Sequence, residues 1–372
     1  MPGADTLPAV VTGGAFLLAI VFGAVGQRVN FCTMGAISDA ANFGDWRRMR
    51  MWALAIAVAI AGAAMLQAAG LVDYGKSIYT GPRIAWLSMI VGGFLFGFGM
   101  TLGSGCGSKT LIRIGGGNLK SLIVLVFIGI SAYMALKGLF AIWRMTALDP
   151  LRFDVGTPTS DLPTVLAHMG LSTAAKAWVP WLVAGGIAAW VFANRAFRTT
   201  REMIVGGVVI GAVVVAGWYL SGHVGHLAED PATLEEKFVA TNTGRMESFS
   251  FVAPVAYLLE LMVYWTDTSR VLTFGIAGVL GMVVGAAAMA VATRTFRWEG
   301  FTTTEDLVHH VAGGILMGFG GVTALGCTIG QGITGLSTLA LGSFLAFFSI
   351  VGGCLAALKY QIWRLERMGQ ST

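Results

Sequence analysis

The chain has 372 residues, of which 56% are hydrophobic and only 12% charged, and its mean hydropathy is +0.75. Soluble domains carry about a quarter charged residues, so the composition excludes a soluble globular protein and points to an all-α polytopic membrane protein forming one integral membrane domain over residues 1–372. The formal charge of +5 reads as the excess of Lys and Arg in loops on one membrane side, with no nucleic-acid footprint.

A bilayer-crossing helix needs roughly 17–25 apolar residues. About nine stretches meet that requirement: Pro8–Gly26, Met51–Leu71, Ile84–Gly103, Leu119–Ile142, Ala177–Ala193, Glu202–Leu220, Val271–Thr293, Val308–Leu325 and Thr338–Gln361. The first lacks a basic leader and a small-residue cleavage site, so it reads as a retained span. The fifth is short and carries Pro180. Four shorter pieces fall between the spans and read as re-entrant or interfacial helices: Asn30–Phe43, Phe249–Trp265, and the pieces after Cys106 and Cys327.

Nine spans place Arg47, Arg48, Arg50, Lys109, Arg113, Lys120, Arg195, Arg198, Arg201, Arg294, Arg297, Lys359, Arg364 and Arg367 on one side. By the positive-inside rule that side is the cytoplasm, with the C-terminus inside. The loops Asp73–Arg83, Trp143–Lys176 and His223–Ser248 then lie outside, although Lys76, Arg83, Arg144 and Arg152 run against the rule there.

The chain contains a displaced copy of part of itself. With an offset of 221 residues and no gaps, Gly92/Gly313, Gly93/Gly314, Leu95/Leu316, Gly97/Gly318, Phe98/Phe319, Gly99/Gly320, Gly105/Gly326 and Cys106/Cys327 are identical, eight matches in the twenty positions from Val91 to Thr110. The same offset lays Asp39 on Glu260 and the second span on the seventh. Equivalent spans are five apart, an odd number, so the copies, residues 30–142 and 251–361, are expected in opposite orientations. Inverted repeats are a transporter architecture with the working site between the repeats near the midplane.

An isolated membrane cysteine is ordinarily a small buried hydrophobe. Cys106 and Cys327 differ in being paired by the repeat and set in glycine-rich breaks, Gly103-Ser104-Gly105-Cys106-Gly107 and Gly326-Cys327-Thr328-Ile329-Gly330-Gln331-Gly332. Glycines there let a ligand approach the backbone, and N–H groups at a helix start favour anions. Gly105, Gly107, Gly326 and Gly330 therefore join the thiols as candidate path residues. Cys32 sits in the polar patch Gln27-Arg28-Val29-Asn30-Phe31-Cys32, and its repeat mate is Ala253. Cys354, in Gly352-Gly353-Cys354-Leu355-Ala356-Ala357, reads as helix packing.

Lys109 and Arg113 either anchor a span end or provide a positive field for an anion or a soluble partner, and Arg28 is a third candidate cation. Asp39 and Glu260 read as structural carboxylates that accept helix N–H groups or pair with Arg28. His223 and His226 have a helix-compatible spacing with no further ligand set, so no metal is expected. Neither a nucleotide fingerprint nor a C-x-x-C motif is present, and no cofactor is expected.

The motifs Gln27-Arg28-Val29-Asn30-Phe31-Cys32, Gly103-Ser104-Gly105-Cys106-Gly107 and Gly326-Cys327-Thr328-Ile329-Gly330-Gln331-Gly332 resemble the YeeE/YedE family of sulfur-compound transporters. The resemblance runs from about Gly23 to about Gly353 and carries the family's functional cysteines onto Cys32, Cys106 and Cys327. It implies an hourglass-shaped protein of the bacterial inner membrane that takes up thiosulfate or a related sulfur or selenium compound past the thiols by transient S–H···S contacts. It also implies cooperation with a TusA-like soluble sulfur carrier at the cytoplasmic side. A thiol-based sulfurtransferase or redox enzyme, and an accessory subunit that only docks such a carrier, are the competing readings.

Overall fold

The computed structural model describes residues 6–170, 175–230 and 234–369. It is built from helices: α1 Leu7–Arg28, α2 Thr33–Phe43, α3 Arg47–Ala68, α4 Trp86–Leu102, α5 Gly107–Gly115, α6 Leu119–Lys137, α7 Leu139–Trp143, α8 Leu162–His168, α9 Ala175–Phe192, α10 Arg195–Arg198, α11 Arg201–Tyr219, α12 Ala253–Val263, α13 Phe274–Ala292, α14 Thr304–Thr323 and α15 Leu341–Gly369. A π-helical turn, Gly330–Gly335, joins α14 to α15. Seven helical segments among the described residues are long and apolar enough to cross a membrane, and the chain is an integral membrane protein. A helix also stands at the other two expected spans, α9 and α14. The apolar part of α9 is short, and α14 opens on the polar Thr304-Glu305-Asp306. Each expected short piece contains a short element as well: α2, α12, α5 and the π turn.

Local chemistry sets the breaks. Cys32 caps α2 from an extended conformation, its sulfur accepting the Gly35 N–H, and Gly44 at φ +65° ends that helix. The chain leaves α4 through Ser104 at φ +57° and leaves α14 through Leu325 at φ +58°, positions matched by the repeat. In both, the next glycine N–H reaches back to a carbonyl of the last turn: Gly105 to Met100 O and Gly326 to Gly321 O, each 2.8 Å. This left-handed exit turns the chain sharply, where an uninterrupted span would have continued.

Glycines set the packing at the centre. A Cβ on Gly92 would stand 2.8 Å from Gly320 O, and one on Gly313 would stand 2.7 Å from Gly99 O, so α4 and α14 cross backbone to backbone. Gly93 and Gly97 of α4 receive the α15 backbone at Ala346 and Ile350, while Gly314 and Gly318 of α14 receive the α6 backbone at Val124 and Ile128. The pair α4–α15 thus has its counterpart in α14–α6, and the short helices α2 and α12 lie against α3 and α13 respectively.

The loops sort into two interlocked sets. In one, Arg83–Ile84 pairs antiparallel with Phe153–Asp154, Ser77 bridges to Met246 and Asp161 to Ala340. In the other, Arg297 N donates to Gly116 O and Leu119 N to Glu299 O, with Lys120 on Asp306 at 2.5 Å. The four cations that ran against the charge rule are all engaged in the first set. Lys76 meets Glu236, Arg83 meets Asp154, Arg144 meets Asp149, and Arg152 donates to the Asp149 carbonyl.

Candidate functional site

All four cysteines are free and buried. Cys32, Cys106 and Cys327 each stand where a helix has just broken. The Cys32 sulfur accepts the Gly35 N–H at 3.4 Å, and the Cys327 sulfur accepts the Gly330 N–H at 3.4 Å. An acceptor contact engages one sulfur lone pair and leaves the S–H proton free to donate. Cys106 occupies the N-cap position of α5 without a side-chain capping bond; its sulfur lies 3.2 Å from Ser108 Oγ, and its carbonyl accepts from Thr110 Oγ1 at 3.0 Å. Cys106 lies within electrostatic reach of both Cys32 and Cys327, so the three thiols form one neighbourhood.

The candidate glycines serve this neighbourhood unequally. A Cβ at Gly330 would press on Ser250 Oγ at 2.6 Å and approach the Tyr79 hydroxyl at 3.5 Å. At Gly107 it would meet Phe251 O at 3.2 Å, so α5 begins directly against the 250–252 segment. Gly105 and Gly326 face their own following turns, at Lys109 and Gln331. Ser250 Oγ stands 4.0 Å from the Cys327 sulfur. Phe22, Phe31, Phe249 and Phe251 make edge-to-face and stacked contacts around the centre, and Trp52 stacks between Phe31 and Phe347.

The three candidate cations separate. Lys109 bonds Asn30 Oδ1 at 2.5 Å and stands within reach of Cys32 and Cys106, so it places positive charge beside two thiols. Arg113 donates to the Ser104 carbonyl at 2.9 Å and holds the left-handed exit of α4. Arg28 is exposed and pairs with Glu202 at 2.7 Å, away from the thiols. The expected Arg28 pairing with Asp39 is absent: Asp39 meets Arg48 at 3.2 Å. Helix α1 ends before its cation can turn back, whereas Arg48 follows one short connection later and lies over Gly35. Glu260, the repeat mate, is buried between Lys137 at 2.8 Å and Arg270 at 2.9 Å. Both carboxylates therefore tie the end of a short helix to its neighbours. Cys354 sits inside α15 with Thr101 Oγ1 at 3.3 Å, as packing requires, although it too lies near Cys32 and Cys106. His223 and His226 turn to different partners, the Leu71 carbonyl and Glu236.

Sequence reasoning missed several groups. Thr33 Oγ1, Thr328 Oγ1 and Gln331 Oε1 are buried without a hydrogen-bond partner among the described residues, and the two threonines immediately follow Cys32 and Cys327. Thr328 and Gln331 lay inside a quoted motif. Tyr79, Ser250 and Glu247 had no comparable signal, because they arrive from loops distant in sequence.

A family model described as sulphur transport matches residues 28–356. The chain is 26% identical over 348 residues to the thiosulfate transporter TsuA of Spirochaeta thermophila, covering 90% of this chain and 95% of that relative. It is also 26% identical over 334 residues to the thiosulfate transporter TsuA of Escherichia coli, covering 84% of each. The match takes in all three thiols, both glycine-rich breaks and the crossing of α4 with α14, and the chain belongs to the sulphur transport family.

Proposed function

We propose that the protein imports thiosulfate, or a closely related sulfur oxyanion, along a path that passes Cys32, Cys106 and Cys327 in the bacterial inner membrane. The observation that carries the reading is the set of three buried thiols at helix breaks, two of them each accepting a backbone N–H. The names of the two relatives supply the substrate class. A soft sulfur anion moves through weak successive contacts, since a tight site would trap it. The thiols, and the hydroxyls of Thr33 and Thr328 that have no partner among the described residues, offer such contacts, and Lys109 is placed to draw the anion on; the N–H groups of Gly105, Gly326 and Gly330 are already bonded within their own turns.

The reading includes nine spans in two inverted repeats, residues 30–142 and 251–361, with an hourglass constriction at the thiols. The recurrence of α4–α15 as α14–α6 and the reciprocal glycine contacts of α4 with α14 support it. It also places the C-terminus and the loop set around Arg47, Lys109 and Arg297 in the cytoplasm, where a TusA-like sulfur carrier would receive the anion.

The deciding experiment is uptake of radiolabelled thiosulfate by liposomes that contain only the purified protein. Time-dependent accumulation that Cys106→Ala abolishes is expected. Empty liposomes and protein-containing liposomes that behave alike would reduce the protein to an accessory subunit. A persulfide trapped on Cys106 during turnover would favour covalent transfer.

A further inference from the structure

Beside Cys327, on the face of the 69–85 and 225–250 loops, lies a cavity of about 130 Å³ lined by Tyr79, Glu247, Ser250, Tyr257 and Gly326. It has room for about four waters or one small oxyanion. Its walls are mostly apolar side chains and hydroxyls, and among the described residues its one carboxyl belongs to Glu247. The Glu247 backbone is pinned, with its N–H on Ser221 Oγ at 3.2 Å and its carbonyl accepting from the same hydroxyl. Ser248 is anchored next to it on the Val214 carbonyl at 2.8 Å. The backbone that carries the carboxyl is therefore held in place, while the side-chain Oε1 is sealed from solvent with no hydrogen-bond partner among the described residues.

Among the described residues, the groups facing this carboxyl offer no cation. Tyr79 faces it from the 69–85 loop, Tyr257 faces it from α12, and the Cys327 thiol lies beyond Tyr79. Arg245, on the same segment, reaches instead for the Ser77 carbonyl. Glu260, the next acid along α12, is occupied by Lys137 and Arg270. A carboxylate here would meet an incoming dianion with like charge in a poorly screened site. The neutral acid would instead present an O–H donor.

Building on the transport reading, we propose that Glu247 is the proton-bearing gate of this entrance: as the neutral acid it donates a hydrogen bond to the entering sulfur oxyanion, and as the carboxylate it closes the cavity to it. Burial pushes the Glu247 carboxyl up to about 8, against a smaller opposing pull from the Asn242 backbone N–H. The neutral form therefore predominates below about pH 8 and is lost above it. Thiosulfate itself stays a dianion throughout that range, so its own protonation does not mimic the effect.

The test is the initial rate of thiosulfate uptake into protein-containing liposomes from about pH 6 to about pH 9.5, with internal and external pH equalised by an ionophore. Wild-type uptake is expected to fall about tenfold between pH 7 and pH 9, following loss of the neutral acid. Glu247→Gln keeps a donor and cannot ionise, so its rate is expected to stay within about twofold across the range. A flat wild-type profile, a Glu247→Gln profile that falls like wild type, or a folded but inactive Glu247→Gln protein would each overturn the gate. Should Glu247→Gln fail to fold, Glu247→Asp decides: a shifted midpoint supports the gate and an unchanged one overturns it. Wild-type uptake at about pH 6.5 separates the two ideas, because its absence defeats the transport reading and its presence leaves the gate alone on trial.

Discussion

At the residue scale, the proposed path turns on whether a sulfur does there what an oxygen cannot. Cys106→Ala removes one atom from a well-packed site, and its folding cost is expected to be about 1 kcal/mol or less. Thermal stability should therefore stay near wild type while uptake is lost. Cys106→Ser is the sharper change. Ser108 Oγ already stands 3.2 Å from the sulfur, so a serine hydroxyl at residue 106 would have a ready partner there. Retained uptake in Cys106→Ser would show that any small donor suffices; loss of uptake with anion binding preserved would assign the sulfur to passage. Cys354→Ala is expected to be nearly silent in uptake, with a stability loss of about 1 kcal/mol from the small void beside Thr101. Exposed Arg28 contrasts with all of these. Its pair with Glu202 is open to water, and such pairs are worth about 0–1 kcal/mol.

At the scale of elements, glycine spacing was legible because close packing repeats every three or four residues along a helix. Gly92, Gly93, Gly97 and Gly99 with their mates marked both contact faces of α4 and α14. The breaks were legible for the same reason: a thiol between glycines is out of place in a continuous span. The ion pairs were not legible. Asp39 has Arg28, Arg47 and Arg48 all close in sequence, and only the turn at Gly44 brings Arg48 back over α2. Nor was the Glu247 cavity, whose walls come from the 69–85 loop, the 242–250 segment, α12 and the end of α14. Two substitutions check this level. Gly97→Val would drive a side chain into the α15 backbone, where even a Cβ would lie 2.0 Å from Ile350 O. Overpacking of this kind costs about 1–3 kcal/mol or more, so folded yield and melting temperature in detergent should both drop. Asp39→Asn weakens the half-buried tie to Arg48 and is expected to lower the amount of folded protein more than the uptake per folded molecule. The reverse outcome would make Asp39 a functional carboxylate.

At the scale of the whole molecule, the two loop sets and the displaced copy describe one arrangement. If residues 30–142 and 251–361 are inverted copies, the ends of α2 and α12 must emerge on opposite sides of the membrane. Phe43 and Tyr264 occupy matched positions at those ends, and they are 80% and 49% exposed. Each can carry a reporter thiol, since the native cysteines are buried and are expected to react slowly with a bulky reagent. In intact cells, a membrane-impermeant maleimide is expected to label Tyr264→Cys and to spare Phe43→Cys. In inside-out vesicles the pattern should reverse. The expectation follows from the proposed topology: Phe43 adjoins Arg47, Arg48 and Arg50, which the positive-inside rule would put in the cytoplasm. Tyr264 instead follows α12, whose Pro254 and Tyr257 line the same cavity as the Asn242–Ser248 loop. Labelling of both reporters from one side would remove the inversion, and with it the expectation of a working site between two oppositely oriented copies. Opposite labelling with the sides exchanged would keep the inversion and turn the molecule over in the membrane, placing Glu247 at the exit instead of the entrance.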